Sequence, residues 1–351
     1  VCANFLPLRN CLILILICWS AASFGQIGGR TVFNNLNIFG SARLASLGGS
    51  PIASRDGDVH LFASNPALLD SSTTRKVALS YVDYFAGANM GFAAYAFDAG
   101  SRKWTFGASM QYINYGMQDR LDALGNASGS FTAGDYNLTL SAAKPIDSLW
   151  TIGASFKTIY SSLDTYYSVA NAVDLGATYY KKKSRFILAF TMRNLGYQWR
   201  AYTDKNHYKL PFEFQISASK RPRHAPFRFY LSVDNLQQFD LYFKSGAEQV
   251  VTDPVTGNII EKKIRFPFAD KMMRHAVIGT EFIITENFQI RIGYNYRRRQ
   301  ELKLPDRSGT AGFSYGFGFK VKRFYFAYGR AIYHAAGPAN HLSISTDLRM
   351  W

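Results

Sequence analysis

From Phe288 to Lys320 apolar residues stand at every second position: Phe288, Ile290, Ile292, Tyr294 and Tyr296, then, after a turn, Ala311, Phe313, Tyr315, Phe317 and Phe319. Small or polar residues fill the gaps, among them Gln289, Arg291, Gly293 and Asn295, then Ser314, Gly316, Gly318 and Lys320. A period of two belongs to a β-strand, whose successive side chains point to opposite faces. Two settings produce so unequal a pair of faces. A sandwich lays the apolar side on a second sheet, whereas a transmembrane barrel turns it to lipid and lines its lumen with the other.

The pattern recurs along the chain from Thr74. Val77, Leu79 and Tyr81 mark a first strand, Met90, Phe92, Ala94 and Ala96 a second, and Trp104 to Tyr112 a third. Further sets follow over 136–142, 150–156, 173–179, 186–192, 212–218, 227–233 and 277–283. After the opening pair come Phe324 to Tyr328 and finally Leu342, Ile344, Leu348 and Met350, in all about fourteen strands. The connections alternate as well. Short turns at 98–103, 146–148, 181–184, 222–226, 285–287 and 321–322 fall on one side. Longer segments at 117–132, 161–170, 197–210, 238–271, 300–309 and 335–339 fall on the other. Short turns inside and long loops outside are the outer-membrane arrangement, and a sandwich has no reason to sort its loops by parity. The 28 Phe and 22 Tyr suit a barrel girdled by aromatics at both interfaces. The expectation is an all-β, transmembrane antiparallel β-barrel.

The formal charge of +16 fits anionic lipid headgroups or lipopolysaccharide. No zinc-finger, helix-turn-helix or RNP-type pattern is present, so nucleic acid is not expected as a partner. Residues 1–25 read as a secretory signal peptide: Arg9, the apolar run Cys11 to Cys18, then small residues leading to cleavage before Gln26. All three cysteines lie in that segment, which removes disulfides, Cys nucleophiles and Cys-held metal from the remaining chain.

Residues 26–74 do not alternate. Apolar residues are spaced by small ones and punctuated by Gly and Pro, predicting short helices and turns that would plug the lumen, or cap it under the periplasmic rim, ahead of a barrel at 75–351. Asn34-Leu36-Ile38, the run Ser41 to Gly49, Asp56-Gly57-Asp58 and Ser64-Asn65-Pro66-Ala67-Leu68 together resemble the N-terminal signature of the PorV/PorQ family. These are FadL-like barrels of the type IX secretion system of Bacteroidetes. Leu79 to Tyr84, Gln111 to Gly116 and Arg221 to Phe229 extend the resemblance over the rest of the chain. It implies a fourteen-stranded barrel with a plug in which Asn65, Pro66 and Ala67 are structural. It further implies a cell-surface attachment complex with PorU, PorV and PorZ as partners, this chain being the membrane anchor for PorZ, where cargo is joined to lipopolysaccharide.

No catalytic constellation emerges. His60, His207, His224, His275, His334 and His341 are scattered singly and read as solvated rim residues, without metal-ligand spacing. Ser217-Ala-Ser-Lys220 matches a Ser-x-x-Lys motif but lies at a strand end without a Lys-Thr-Gly companion. The runs Lys181–Lys183 and Arg297–Arg299 read as solvated or headgroup-facing charges at strand ends on opposite rims. No enzymatic activity, cofactor or metal is expected. Within the longest loop, Glu248 to Thr252 and Ile259 to Lys263 flank a Pro- and Gly-bearing turn and predict a hairpin. Beside it Phe239, Tyr242, Phe243, Phe266 and Phe268 are candidate partner-binding residues, or alternatively part of the aromatic girdle. The main expectation is therefore a non-enzymatic secretion-system barrel anchoring a surface partner. The alternative is a FadL-type channel for small hydrophobic ligands, against which the polar inward positions weigh.

Overall fold

The computed structural model describes residues 31–50, 52–98, 103–122, 124–203, 207–242, 250–252, 259–261, 267–302, 309–334 and 337–350. The signal-peptide reading, the cysteines, Phe243 and Phe266 lie outside them. The chain forms two units, residues 1–30 with 242–265 and residues 31–241 with 266–351. The second holds a closed antiparallel barrel of fourteen strands. The first shows an antiparallel hairpin, described below.

In chain order the strands are β1 Lys76–Asp83, β2 Asn89–Asp98, β3 Thr105–Leu121, β4 Ala127–Pro145, β5 Trp150–Leu163, β6 Tyr166–Lys181, β7 Phe186–Arg200, β8 Glu213–Lys220 and β9 Phe227–Val233. The hairpin strands β10 Val250–Thr252 and β11 Ile259–Glu261 follow, then β12 Ala276–Thr285, β13 Phe288–Asn295, β14 Phe313–Val321, β15 Phe324–His334 and β16 Gly337–Asp347. Each barrel strand pairs with its neighbours in the chain, β12 taking β9 as partner past the hairpin, and β16 closes on β1 from Lys76↔Asp347 to Asp83↔Asn340. Three short helices, α1 Ala42–Ser46, α2 Phe268–Met273 and α3 Tyr296–Leu302, complete the elements named here.

The alternation decides which face is which. On β13 and β14, Ile290, Ile292, Phe313, Tyr315 and Phe317 are exposed on the outside, while Arg291, Gly293, Ser314 and Gly316 are buried within. Rings on the outer face meet across strands near both ends, as the aromatic girdles of a membrane barrel do. Tyr112, Tyr136 and Tyr160 form a row toward the long-loop rim, with centroids 4.7 Å and 6.1 Å apart. Phe97–Phe106 at 5.6 Å, Phe227–Phe282 at 5.0 Å and Phe319–Phe326 at 5.3 Å lie toward the short-turn rim.

Several expectations are corrected. The β2 set Met90, Phe92, Ala94 and Ala96 points inward and is buried, because this strand packs apolar side chains against the luminal segment as well as against lipid. Tyr296 does not continue β13: it opens α3, and Ala311 is buried in the approach to β14. Leu348 and Met350 lie not in β16 but in a 3-10 turn, where Arg349 folds back onto Asp347. Segments 117–132 and 161–170 are largely strand. β3 and β4 run as a ladder to Leu121↔Ala127, and β5 and β6 to Leu163↔Tyr166, so these hairpins stand taller than a membrane crossing requires.

Inside the barrel lies the segment from Thr31 to Thr74. Its short helical turns and the irregular stretches between them bury Leu44, Leu47, Ile52, Leu61, Phe62 and Leu68 almost completely. The wall makes room for it with glycine. A Cβ on Gly153 would meet Pro66 C at 2.6 Å, and one on Gly176 would meet Asn65 Oδ1 at 2.1 Å. Under α1, a Cβ on Gly293 would meet Gly48 N at 2.2 Å, on Gly316 Ser46 Cβ at 2.7 Å, and on Gly329 Ala42 O at 2.2 Å. Asn65, Pro66 and Ala67 therefore seat on β5 and β6, with the Asn65 side chain accepting a hydrogen bond from Ala67 N.

Candidate functional site

Polar residues on the inner wall hold the luminal segment at two levels. Toward the short-turn rim, Arg43 of α1 contacts Asp56 at 2.6 Å, Glu281 at 3.0 Å and Asp58 at 3.4 Å. Glu281, on β12, also meets Arg228 at 3.2 Å and Arg291 at 2.8 Å and accepts a hydrogen bond from Tyr230 Oη at 3.1 Å. Three guanidinium groups face three carboxylates, so the buried charge balances and each group finds several partners, the condition for tolerating ions out of water.

Nearer the long-loop rim, a β-bulge in β7 aims two consecutive side chains inward. The β6–β7 register shifts between Val173 and Leu175, and Arg193 and Asn194 are both buried, with Asn194 in the left-handed backbone region at φ 59°. Lys157 pairs with Asp174 at 2.6 Å and donates to Asn194 Oδ1 at 3.0 Å. Arg193 pairs with Glu213 and lies 4.7 Å from the Phe39 ring centroid. These contacts are locks rather than chemistry, since every ion has a counter-ion within 3.4 Å.

Two cavities lie at opposite ends of this packed core. The one at the short-turn rim has a volume of about 270 Å³ and a mixed charged lining that includes Lys76, Lys320, Asp58 and Asp347. The other, at the long-loop rim, measures about 570 Å³, within the range of small-molecule sites. The 3-10 turn Asn34–Asn37 brings Phe33, Asn34 and Asn35 to it. Its walls carry Tyr84 and Phe85 from the β1–β2 connection, Tyr115 of β3, Phe131 and Asp135 of β4, and Tyr202 beyond β7. The polar atoms are organised: Tyr115 Oη donates to Asp135 Oδ2 at 2.6 Å and Tyr202 Oη to Ser161 Oγ at 2.6 Å. Tyr84 stacks on Phe85 at 4.4 Å and on Tyr333 at 5.9 Å. Six rings and one carboxylate thus line a single cavity.

None of these vestibule residues was a sequence candidate. They are scattered between positions 33 and 202, and the only local signal is the aromatic content of connections on the long-loop side. Of the candidate aromatics, Phe239 and Phe268 are 50% and 70% exposed and meet at 5.9 Å, whereas Tyr242 is buried. The predicted hairpin pairs Val250↔Glu261 to Thr252↔Ile259. His60, His275 and His341 are not solvated rim residues but are buried. His60 lies 3.0 Å from Asp58, and the His275 ring lies 2.7 Å from the Asp234 carbonyl oxygen. The Arg297–Arg299 run also departs from expectation. α3 turns Arg298 inward to donate to Gly48 O at 3.0 Å and Gly49 O at 3.1 Å, under Tyr333, while Lys181–Lys183 are exposed as read. Ser217 and Ser219 are buried on the inner wall, Ser219 donating to Ala53 O at 2.6 Å, which leaves the Ser-x-x-Lys match structural.

A closed fourteen-stranded barrel with a lipid-facing apolar surface, aromatic girdles and a luminal segment defines an integral outer-membrane protein of FadL-like fold. The structure is similar to the TodX monoaromatic hydrocarbon channel deltaS2 mutant, with a TM-score of 0.50 and 14% identity over 89% of this chain and 97% of that one. The toluene transporter TodX of Pseudomonas putida gives a TM-score of 0.49 at 13% identity, covering 88% of this chain and 98% of that one. A Pseudomonas aeruginosa FadL homologue gives 0.47 at 10%, covering 87% and 98%. No protein-family model and no curated protein matches the sequence.

Proposed function

We propose that this protein is a non-enzymatic outer-membrane barrel that takes a small, largely apolar ligand from the long-loop side into the vestibule. The carrying observation is the 570 Å³ cavity ringed by Phe33, Tyr84, Phe85, Tyr115, Phe131 and Tyr202. Such a surface gains free energy by covering apolar area and by ring contacts with specific geometry. The TodX structure described as a monoaromatic hydrocarbon channel shares the fold and suits this reading. The polar lumen does not oppose it, because the apolar site lies above the packed core rather than through it. Ala133→Trp, which fills the cavity from its wall, tests the proposal. Purified barrel in nanodiscs should enhance the fluorescence of an apolar naphthylamine probe, with empty nanodiscs as blank, and the variant should lose that enhancement while still shifting on gels when heated. Equal enhancement by both proteins places the ligand elsewhere.

A second reading is favoured by the long connection between β9 and β12, which carries the β10–β11 hairpin and the exposed pair Phe239 and Phe268. Unpaired strand edges and exposed rings suit protein docking. On this reading the chain anchors a surface partner, PorZ-like if the PorV/PorQ resemblance holds, in a complex that includes PorU and PorV. Replacing residues 248–263 with a short Gly-Ser linker should leave the barrel heat-modifiable and release the partner into the medium. A partner retained on the cell surface refutes this docking site.

A further inference from the structure

The vestibule carries a charge preference as well as an apolar one. Among its described lining residues Asp135 is the single carboxylate, and none is Lys, Arg or His, in a chain with a formal charge of +16. Asp135 is 6% exposed and sits on the inner face of β4. Tyr115 donates to one of its oxygens. Arg298, which stacks 4.2 Å from the centroid of the neighbouring Tyr333, donates to the carbonyls of Gly48 and Gly49 and is not among the lining residues. A carboxylate that shares one cavity with several aromatic rings can recognise organic cations: the rings attract the charge through their quadrupoles and the acid neutralises it. A ligand carboxylate brought to the same place would instead meet like charge with no compensating donor of full charge.

We infer that the vestibule is a site for organic cations, in particular an ammonium-bearing aromatic or short alkyl amphiphile whose positive end lies at Asp135 and whose apolar body covers Phe33, Tyr84, Phe131 and Tyr202. This rests on the capture reading above and adds the ligand's charge class. Three probes of similar size separate the two. Phenyltrimethylammonium, its neutral isostere tert-butylbenzene and the anion benzenesulfonate are titrated against the full-length barrel in nanodiscs by calorimetry, with empty nanodiscs subtracted. The cation should bind roughly tenfold more tightly than the neutral isostere, and the anion should not bind measurably. Asp135→Asn, which keeps the shape and the Tyr115 hydrogen bond, should bring cation and isostere within about twofold of each other. Ala133→Lys, which places a cation in the wall two residues from Asp135 while leaving that residue in place, should abolish the preference for the cation and serves if Asp135→Asn does not fold. Equal binding of cation and isostere by the native protein overturns the charge inference and leaves the capture reading standing. Binding of none of the three overturns both.

Discussion

Single residues in this barrel differ most in what lies opposite them. Ile290 and Phe317 face lipid, and either changed to Arg should cost about 2–4 kcal/mol near mid-membrane. Gly316, one strand away and facing inward, looks replaceable by Ser from sequence alone, but a Cβ there would sit 2.7 Å from Ser46 Cβ and 2.2 Å from Tyr328 O. Overpacking of this kind typically costs about 1–3 kcal/mol. Gly316→Ser should therefore lower the urea midpoint of refolded protein in lipid vesicles, and a silent Gly316→Ser beside a destabilising Ile290→Arg would show that the luminal segment can withdraw. Asp234, just beyond β9, shows the opposite pressure. Burial, and then the nearby Glu213 charge, push its carboxyl from 3.8 up to about 7, against a hydrogen bond from Ser50. The folded state thus holds a proton that the unfolded chain releases above about pH 4. The associated stability is present below that pH and lost as the pH rises through about 7. Asp234→Asn should flatten the unfolding midpoint across this window. An unchanged slope would assign the pH dependence to other groups.

Among elements, the luminal segment is the one whose attachment can be cut selectively. Arg43 ties it to Glu281, yet Glu281 keeps Arg228 and Arg291 when Arg43 is gone. Arg43→Met should leave the wall closed and the gel shift intact while loosening α1. Breaking one side of a buried pair costs roughly 3–5 kcal/mol, so amide exchange over residues 42–62 should rise by orders of magnitude. Unaltered exchange would mean that the glycine-floored packing alone holds the segment. The strands themselves were legible because lipid imposes one uniform demand on every outer position. Legibility failed where a second demand was laid over it. In β2 both faces are apolar, so Met90 and Phe92 carry no sign of direction. At Tyr296 the alternation runs on for one residue after the backbone has turned into α3. The bulge at Arg193 and Asn194 leaves no trace, because two polar neighbours read alike whichever one faces in. The vestibule was hidden for a different reason: its rings are brought together by closure of the barrel, not by any local repeat.

For the molecule as a whole, the parity of the connections fixes a direction. Cysteines introduced at positions 250–261 should react with an impermeant maleimide on intact cells, whereas one at Lys182 should be protected. Labelling at 182 would invert the orientation and with it the side from which the vestibule fills. A last consequence concerns biogenesis. Ser343 of the final strand β16 shares a 2.8 Å hydrogen bond with Ser80 of the first strand β1 and accepts another, at 2.9 Å, from Ala42 N of the luminal helix. The seam where the wall joins itself is therefore also a point at which the N-terminal segment is fastened, and the glycines beneath α1 leave no slack for later entry. A wall that closes around a segment already in place would use it as a mandrel on which the cylinder is finished.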